Sequence, residues 1–178
     1  MSQPTSVTRV WVARDFAKCS GCRLCEIACS LYHEGKIWPE ASRVRVFMQV
    51  PGVEVPHLCT QCNNYPCVNS CPFKALSVNE TTGAVKVDNE KCTACGVCII
   101  ACPGKIPHLH PDRKRIVICD LCDGSPACAK ICTRMKFDTL MTVPRVPMGT
   151  YDLYAKMPEE TAKNLANKFY GKIAKELI

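Results

Sequence analysis

Sixteen of the 178 residues are cysteine, and their spacing is the feature of this sequence that could do chemistry. The tightest group runs from Cys92 through Cys95 and Cys98 to Cys102, with the spacing C-x2-C-x2-C-x3-C, and Pro103 follows it. Four thiolates at these intervals are typical ligands of a [4Fe-4S] cluster. The sequence therefore predicts an iron–sulfur protein.

Three further groups repeat this pattern with small changes. Their members are Cys19, Cys22, Cys25 and Cys29, then Cys59, Cys62, Cys67 and Cys71, then Cys119, Cys122, Cys128 and Cys132. The gap between the second and third cysteine varies from group to group, and a proline follows the last cysteine at Pro72 and Pro103. A proline there turns the chain away and removes a backbone donor that would have no partner. All the cysteines are used, four by four.

Two other uses of cysteine fit less well. Cysteine at about 9% of a chain is typical of disulfide scaffolds in short secreted proteins. However, residues 1–15 contain neither an apolar signal segment nor a twin arginine, so we expect a cytoplasmic protein, where disulfides are rare. All-thiolate zinc sites use two separated C-x2-C pairs and have no use for a third and fourth cysteine at these intervals. Iron–sulfur clusters remain the better interpretation.

The formal charge of +7 treats every cysteine as neutral. Four thiolates around one cubane leave about −2 per cluster, so four clusters would bring the charge of the protein to about −1. The lysines and arginines are therefore expected to compensate cluster charge, and no nucleic-acid partner is predicted. No stretch approaches the roughly 18 consecutive apolar residues of a membrane span, so none is expected.

Short strands and loops must position the cysteine groups. Alternating or β-branched residues predict strands at 7–16, 43–50, 53–58 and 115–118, a β-hairpin at 75–78 and 84–87, and a strand at 139–143 that closes a second hairpin. Residues 30–42 are predicted to form an irregular insertion. The histidines and the basic run 113–115 are interpreted as solvated or as neighbours of the clusters, and Trp11 and Trp38 as packing residues.

The C-terminal part differs from the rest of the chain because it lacks cysteine. Prolines and a glycine predict a linker over residues 144–157. Residues 158–178 predict an amphipathic helix, with Pro158 at its start and an apolar stripe along one face. This helix is too long to be needed for closing a small core. We expect it to dock a partner subunit, and the alternatives are docking to another copy of this chain or packing back on its own domain.

The four cysteine runs resemble those of the four-cluster iron–sulfur subunits that serve molybdenum and tungsten pterin oxidoreductases, and the resemblance covers about residues 7–143. Within that family the chain is most similar to the ferredoxin-like subunit of bacterial tungsten-dependent aldehyde oxidoreductases. The resemblance implies an α+β, duplicated bacterial-ferredoxin-like fold, with an inner module at 53–103 and an outer module at 7–50 plus 104–143. Residues 1–143 would thus form one polyferredoxin region with four cubane clusters.

The resemblance also implies how the motifs share their ligands, because in this family each run supplies its fourth cysteine to the cluster of another run. The first set is Cys19, Cys22, Cys25 and Cys132. The second set is Cys29, Cys119, Cys122 and Cys128. The third set is Cys59, Cys62, Cys67 and Cys102. The fourth set is Cys71, Cys92, Cys95 and Cys98. Each set would hold one [4Fe-4S] cluster.

The function implied is electron transfer rather than catalysis. The sequence has no Gly-rich nucleotide loop after a strand and no arrangement of catalytic side chains, and thiolates occupy every cluster corner. The family relays electrons between a tungsten- or molybdenum-pterin catalytic subunit and a flavin subunit or soluble carrier. The alternative is a free-standing polyferredoxin that shuttles electrons by diffusion.

Overall fold

The computed structural model describes residues 9–146 and 151–178. Its strands are β1 (Val10–Arg14), β2 (Val44–Val50), β3 (Val53–Leu58), β4 (Leu76–Val78), β5 (Val85–Val87), β6 (His108–Leu109), β7 (Ile116–Val117) and β8 (Leu140–Pro144). Its helices are α1 (Leu24–Glu34), α2 (Pro66–Asn69), α3 (Val97–Ala101), α4 (Ala127–Arg134), α5 (Pro158–Tyr170) and α6 (Ala174–Leu177). This mixture of short strands and helices agrees with the predicted α+β class.

The strands form four separate antiparallel pairs, β1–β8, β2–β3, β4–β5 and β6–β7. The predicted hairpin at 75–78 and 84–87 is present as β4–β5. The prediction that 139–143 closes a local hairpin is wrong, because β8 pairs with β1, with Val12 opposite Thr142. The two ends of the predicted outer module therefore meet through this pair. Duplication of a ferredoxin unit stays a prediction.

Helix α1 replaces part of the predicted irregular insertion at 30–42. It runs through Cys25 and Cys29 to Glu34, and Gly35 ends it in a left-handed conformation (φ 70°) that glycine adopts without strain. The sequence pattern missed this continuation because the apolar spacing after Cys29 is weak. A short segment that contains a 3-10 turn at Pro39–Ala41 connects the helix to β2.

The core is built around sulfur. One cluster of buried side chains joins Val12, Val44, Leu58, Val85 and Leu140 with buried cysteines from all four motifs. Because apolar strands and cysteine loops share this core, the geometry of the loops depends on the packing of the strands.

The predicted linker at 144–157 is packed where the structure describes it. Pro144 belongs to β8, and Arg145 donates hydrogen bonds to the carbonyl of Gln61 at 2.5 Å and to Oδ1 of Asn63 at 3.0 Å. The buried Tyr151 lies against Trp11, with ring centroids 4.9 Å apart. Residues 147–150 of this segment, like residues 7 and 8 of the predicted first strand, lie outside the described residues.

The C-terminal helix is broken and partly covered. The predicted C-terminal helix is present, but Gly171 ends α5 and a 3-10 turn joins α5 to α6. Ala162 and Ala166 of α5 are fully buried in a second apolar cluster with Val53 and Val55 of the β2–β3 hairpin. This face is thus covered by the chain itself, and docking through the helix would have to use the side chains that remain exposed.

The turn between β2 and β3 explains how closely α5 approaches the hairpin. Gly52 has a φ of 72°, and a Cβ atom at this position would lie 2.8 Å from the hydroxyl oxygen of Tyr170. That hydroxyl donates a hydrogen bond to the carbonyl of Pro51 at 2.9 Å. Glycine therefore meets two requirements here: the turn needs a positive φ, and the close approach of the helix leaves no room for a side chain.

Within the described residues, no helix combines the length and apolarity needed to cross a lipid bilayer.

Candidate metal centres

All four cysteine loops share one backbone feature. The residue two positions after the first cysteine of each motif has a left-handed conformation, and these residues are Gly21, Gln61, Ala94 and Leu121, with φ between 48° and 69°. Only the glycine adopts this conformation without cost. A turn of this kind directs successive N–H groups toward one point, which suits an anionic group. This shared turn could not be predicted from the sequence, because only one of the four residues is glycine.

Short helices carry the third cysteine of each motif and, in the first and last motifs, the fourth as well. Helix α1 contains Cys25 and Cys29, and helix α4 contains Cys128 and Cys132. Residues four apart lie on the same face of a helix but one turn apart. The third and fourth cysteines of one motif can therefore point to neighbouring sites, as shared ligation between two motifs requires.

Three of the four expected cysteine sets each line a small cavity. Each cavity is lined by all four cysteines of its set, together with apolar side chains such as Leu24, Val97 and Ile118. The structure thus brings Cys132 to the first motif, Cys102 to the second and Cys71 to the third.

The second set is the most deeply buried. Its four members, Cys29, Cys119, Cys122 and Cys128, are between 5% and 8% exposed. Cys29 lies close enough to the other three for the charges of the thiolates to interact. The fourth cysteine of the first motif is therefore placed beside the first three cysteines of the last motif.

The donor groups fit an iron–sulfur cluster. All sixteen cysteines are free of disulfides, and each of the four groups offers four sulfur atoms. Backbone N–H groups donate to sulfur, from Arg43 to Cys29 at 3.2 Å and from Ala75 to Cys71 at 3.3 Å. Hydrogen bonds of this kind favour the thiolate and tune the potential of a bound cluster.

Burial opposes ionisation of most of these thiols. It raises the pKa of Cys25, Cys59 and Cys67 to about 12 and holds that of Cys119 and Cys128 well above the ordinary value. A metal ligand must be deprotonated, so binding of clusters has to release these protons. The apo protein would bury neutral thiols, and only the bound iron would convert them to thiolates.

Cys29 differs from the other buried cysteines because His33 lies beside it. Burial raises the pKa of Cys29, but the contact with His33 and the amide of Arg43 outweigh burial, and the pKa falls below its ordinary value. Nε2 of His33 contacts Oδ1 of Asp120 at 3.0 Å, and its Nδ1 contacts the carbonyl of Cys29 at 2.9 Å. The predicted role of this histidine as a neighbour of the clusters agrees with the structure.

Ligand atoms of His33, Asp120 and Cys122 all lie within 4.8 Å of one another, a spacing that would admit a single metal ion. Cys122 belongs to the second set, however, and His33 is already engaged by Asp120 and by the carbonyl of Cys29. This group is therefore best described as the polar surroundings of the second set.

Pairs of neighbouring cysteines connect the four sets. Charge interactions connect Cys25 of the first set with Cys128 of the second, and Cys119 of the second with Cys59 of the third. A further interaction connects Cys67 of the third set with Cys98 of the fourth. Two cysteines are exposed, Cys22 in the first set and Cys95 in the fourth. The sets thus form a series whose two ends reach the surface.

Glu34 and Arg14 are buried charged residues near this series that the sequence pattern does not indicate. The side chain of Glu34 is 1% exposed and lies between Arg43 and Arg115, each 3.3 Å away. The interpretation of residues 113–115 as solvated is therefore wrong for Arg115, whose side chain is 16% exposed. Arg14 is buried at the end of β1. Both residues sit in segments whose pattern resembles ordinary amphipathic structure, so the sequence offered no signal for them.

The repeated loops and sulfur-lined cavities define an iron–sulfur protein of the ferredoxin class. Comparison with protein families agrees: residues 51–139 match the 4Fe-4S dicluster domain, and residues 16–32 match a 4Fe-4S binding domain. The chain belongs to the family of 4Fe-4S dicluster-domain proteins. The predicted iron–sulfur, ferredoxin-type character is confirmed, whereas the narrower resemblance to subunits of tungsten-dependent aldehyde oxidoreductases stays a prediction.

Individual relatives extend this picture. The polyferredoxin-like subunit of an aliphatic sulfonate oxidoreductase from Pyrococcus furiosus is 53% identical, over 92% of this chain and 94% of the relative. The electron transport protein HydN of Escherichia coli is 31% identical, over 68% of this chain and 82% of the relative. Among solved structures, a chain of the BamBC active site complex of benzoyl coenzyme A reductase has a TM-score of 0.45 and 24% identity, over 94% of each chain.

Proposed function

We propose that this chain is a non-catalytic electron-transfer subunit that holds four [4Fe-4S] clusters, one in each of the four cysteine sets. When bound, each cluster accepts one electron from a neighbour and passes one on, without making or breaking bonds in a substrate. The cysteines hold the clusters, the backbone N–H groups stabilise their negative charge, and the apolar side chains that line the cavities exclude water.

One observation carries this proposal: the four sets form a single series with an exposed cysteine at each end. Cys22 would mark the end at the first set and Cys95 the end at the fourth set. The two middle sets lie deeper, since every cysteine of the second set is buried and only Cys62 of the third set is partly exposed. A series of this kind suits a protein that receives electrons from one partner and delivers them to another.

The partners we propose are a tungsten- or molybdenum-pterin catalytic subunit at one end and a flavin subunit or soluble carrier at the other. The motif resemblance described above supports the pterin partner, and a relative that is named as a subunit of an aliphatic sulfonate oxidoreductase supports assembly with a catalytic subunit. Contact through the C-terminal helical segment would use Phe169 of α5 and Ile173 of the 3-10 turn that follows it, which are 41% and 61% exposed. Self-association through the same surface is the alternative use.

The proposal is tested by anaerobic affinity purification of the tagged chain from its native host, with iron, zinc, molybdenum and tungsten measured in the eluate. We expect about sixteen iron atoms per chain, as four cysteine-ligated cubanes require, and molybdenum or tungsten with a large co-purifying subunit. The same iron content with neither metal would instead support the free-standing polyferredoxin. Zinc in place of iron would overturn both interpretations.

A further inference from the structure

Arg14 is a cation buried in the middle of the protein. Only 9% of the residue is exposed, at the C-terminal end of β1. Its Nη2 donates hydrogen bonds to the carbonyls of Leu58 and Cys59, both at 3.0 Å. Its guanidinium carbon lies 5.8 Å from the ring centroid of Trp11 and 5.7 Å from that of Tyr154. Backbone and aromatic rings thus fix the position of the guanidinium.

No carboxylate balances this charge. Across residues 9–146 and 151–178, none of the ion pairs involves Arg14, and its Nε atom is buried without a hydrogen-bond partner. Burial lowers the pKa of Arg14 to about 10, and the nearby thiols of Cys59 and Cys119 counteract that decrease. The side chain therefore stays positively charged at neutral pH. Buried charges are rarely left unpaired, so an anion is expected close by.

The anions available belong to two different cysteine sets. The charge of the guanidinium interacts with Cys59, which is in the third set, and with Cys119 and Cys128, which are in the second. Arg14 also binds the carbonyl of Cys59 directly. The guanidinium is therefore placed where the two middle sets of the series approach each other.

We propose that Arg14 is a positioning residue that holds one positive charge between the two middle clusters and raises the reduction potentials of both. This inference rests on the proposed function, since it requires clusters in the second and third sets. A cation stabilises the reduced cluster more than the oxidised one because reduction adds a negative charge. Arg14 would thereby make the centre of the relay a better electron acceptor than it would otherwise be.

The test uses the complete chain carrying Arg14→Gln, which removes the charge, and Arg14→Lys, which keeps it. Arg9→Gln is the matched control, because Arg9 is exposed and donates to the carbonyl of Glu80 at 2.7 Å. Iron is quantified, and each potential is measured by anaerobic redox titration followed by EPR. The clusters of the end sets are assigned beforehand with Cys22→Ser and Cys95→Ser.

With Arg14→Gln we expect full iron content and a shift of two of the four potentials to lower values. The clusters of the end sets should keep their potentials, and Arg14→Lys and Arg9→Gln should resemble the unaltered protein. Simple loosening of the core would admit water, which stabilises the reduced cluster and shifts potentials in the opposite direction. The sign of the shift therefore separates the loss of charge from the loss of packing.

Unchanged or raised potentials in an iron-replete Arg14→Gln protein would overturn the inference. If the Arg14→Gln protein does not retain iron, the Arg14→Lys protein distinguishes the two explanations. Full iron content and unaltered potentials in Arg14→Lys would support the need for a positive charge. Loss of iron in Arg14→Lys as well would overturn the inference, because the contacts with the carbonyls would then be what matters. Fewer than four clusters in the unaltered protein would contradict the proposed function, which is a separate outcome from any effect of Arg14.

Discussion

Glu34 and Arg14 both carry buried charged side chains, and their surroundings are opposite. The carboxylate of Glu34, at the end of α1, is contacted by Arg43 and Arg115 at 3.3 Å and by His110 at 3.4 Å. Burial raises the pKa of Glu34, but these neighbours outweigh burial and hold it below its ordinary value. Arg14 has two carbonyls and two aromatic rings as neighbours, and no carboxylate among the described residues pairs with it.

Glu34 and Arg14 illustrate two ways in which a buried charge can be balanced. The charges around Glu34 are supplied by the chain itself, so this network can be complete whether or not iron is bound. The charge of Arg14 is balanced only when neighbouring thiols become thiolates, which burial opposes until metal binds. We therefore expect the region of Glu34 to stabilise the fold with or without iron, and the region of Arg14 to depend on bound clusters.

The largest effect is expected when the clusters are removed. Anaerobic chelation should abolish the cooperative thermal transition, because the apo chain would bury an unbalanced Arg14 and lose the cross-links that join the cysteine loops. Far-UV circular dichroism of the chelated protein, followed by reconstitution with iron and sulfide, measures this. An apo chain that melts at the same temperature as the holo protein would show that neither region depends on the clusters.

The Glu34→Gln variant affects the network around Glu34, in which the chain itself supplies all the charges. Its effect on stability should be smaller than that of removing the clusters. It leaves Arg43 and Arg115, whose side chains are 11% and 16% exposed, without their anion. We expect a loss of about 2 kcal/mol, or about 4–8 °C in Tm for a chain of this size. Glu40→Gln is the control, since Glu40 is exposed. Equal melting temperatures for the two variants would contradict the structural role of the network.

The positions of these two charges illustrate what the sequence could reveal. The sixteen cysteines could be divided into four motifs from their spacing, and the sharing of ligands between motifs that the family resemblance implies stays a prediction. In the structure, the four cysteines of the first, third and fourth sets each line one cavity. The β4–β5 hairpin and the short strands before the cysteine loops were also predictable, because local patterns determine them. Arg14, by contrast, looks like an ordinary polar end of a strand, and its burial results from packing against Leu58 and Cys59, far away in the chain.

Long-range contacts also explain the errors of the sequence analysis. The partner of β8 is β1, at the other end of the cysteine region, and no local pattern specifies such a pair. The predicted linker packs because Arg145 binds the carbonyl of Gln61 and Tyr151 lies on Trp11. The apolar stripe of the C-terminal helix was recognised from the sequence. The element that covers part of it could not be predicted, because an amphipathic pattern does not specify which surface packs against it.

The basic run at 113–115 offers a graded test of the Glu34 network. Arg115 contacts Glu34 at 3.3 Å with a side chain 16% exposed, whereas Arg113 contacts it at 3.6 Å with a side chain 60% exposed. Arg115→Gln should cost about 1 kcal/mol, and Arg113→Gln less than about 0.5 kcal/mol. Thermal unfolding of the two holo proteins compares them directly. The reverse order would mean that burial does not determine the strength of these pairs.

The smallest effect is expected at the surface, where Lys86 of β5 pairs with Asp123 in the loop that carries Cys122. Their side chains are 35% and 64% exposed, so water and salt screen the attraction. Lys86→Ala should cost less than about 1 kcal/mol, and less still at high salt. A double-mutant cycle with Asp123→Ala isolates the pair. This pair links β5 to the last cysteine motif. If its coupling persisted in high salt and matched the loss in Glu34→Gln, the pair would be shielded from solvent in the holo protein. The distinction between buried and exposed charges would then fail for this pair.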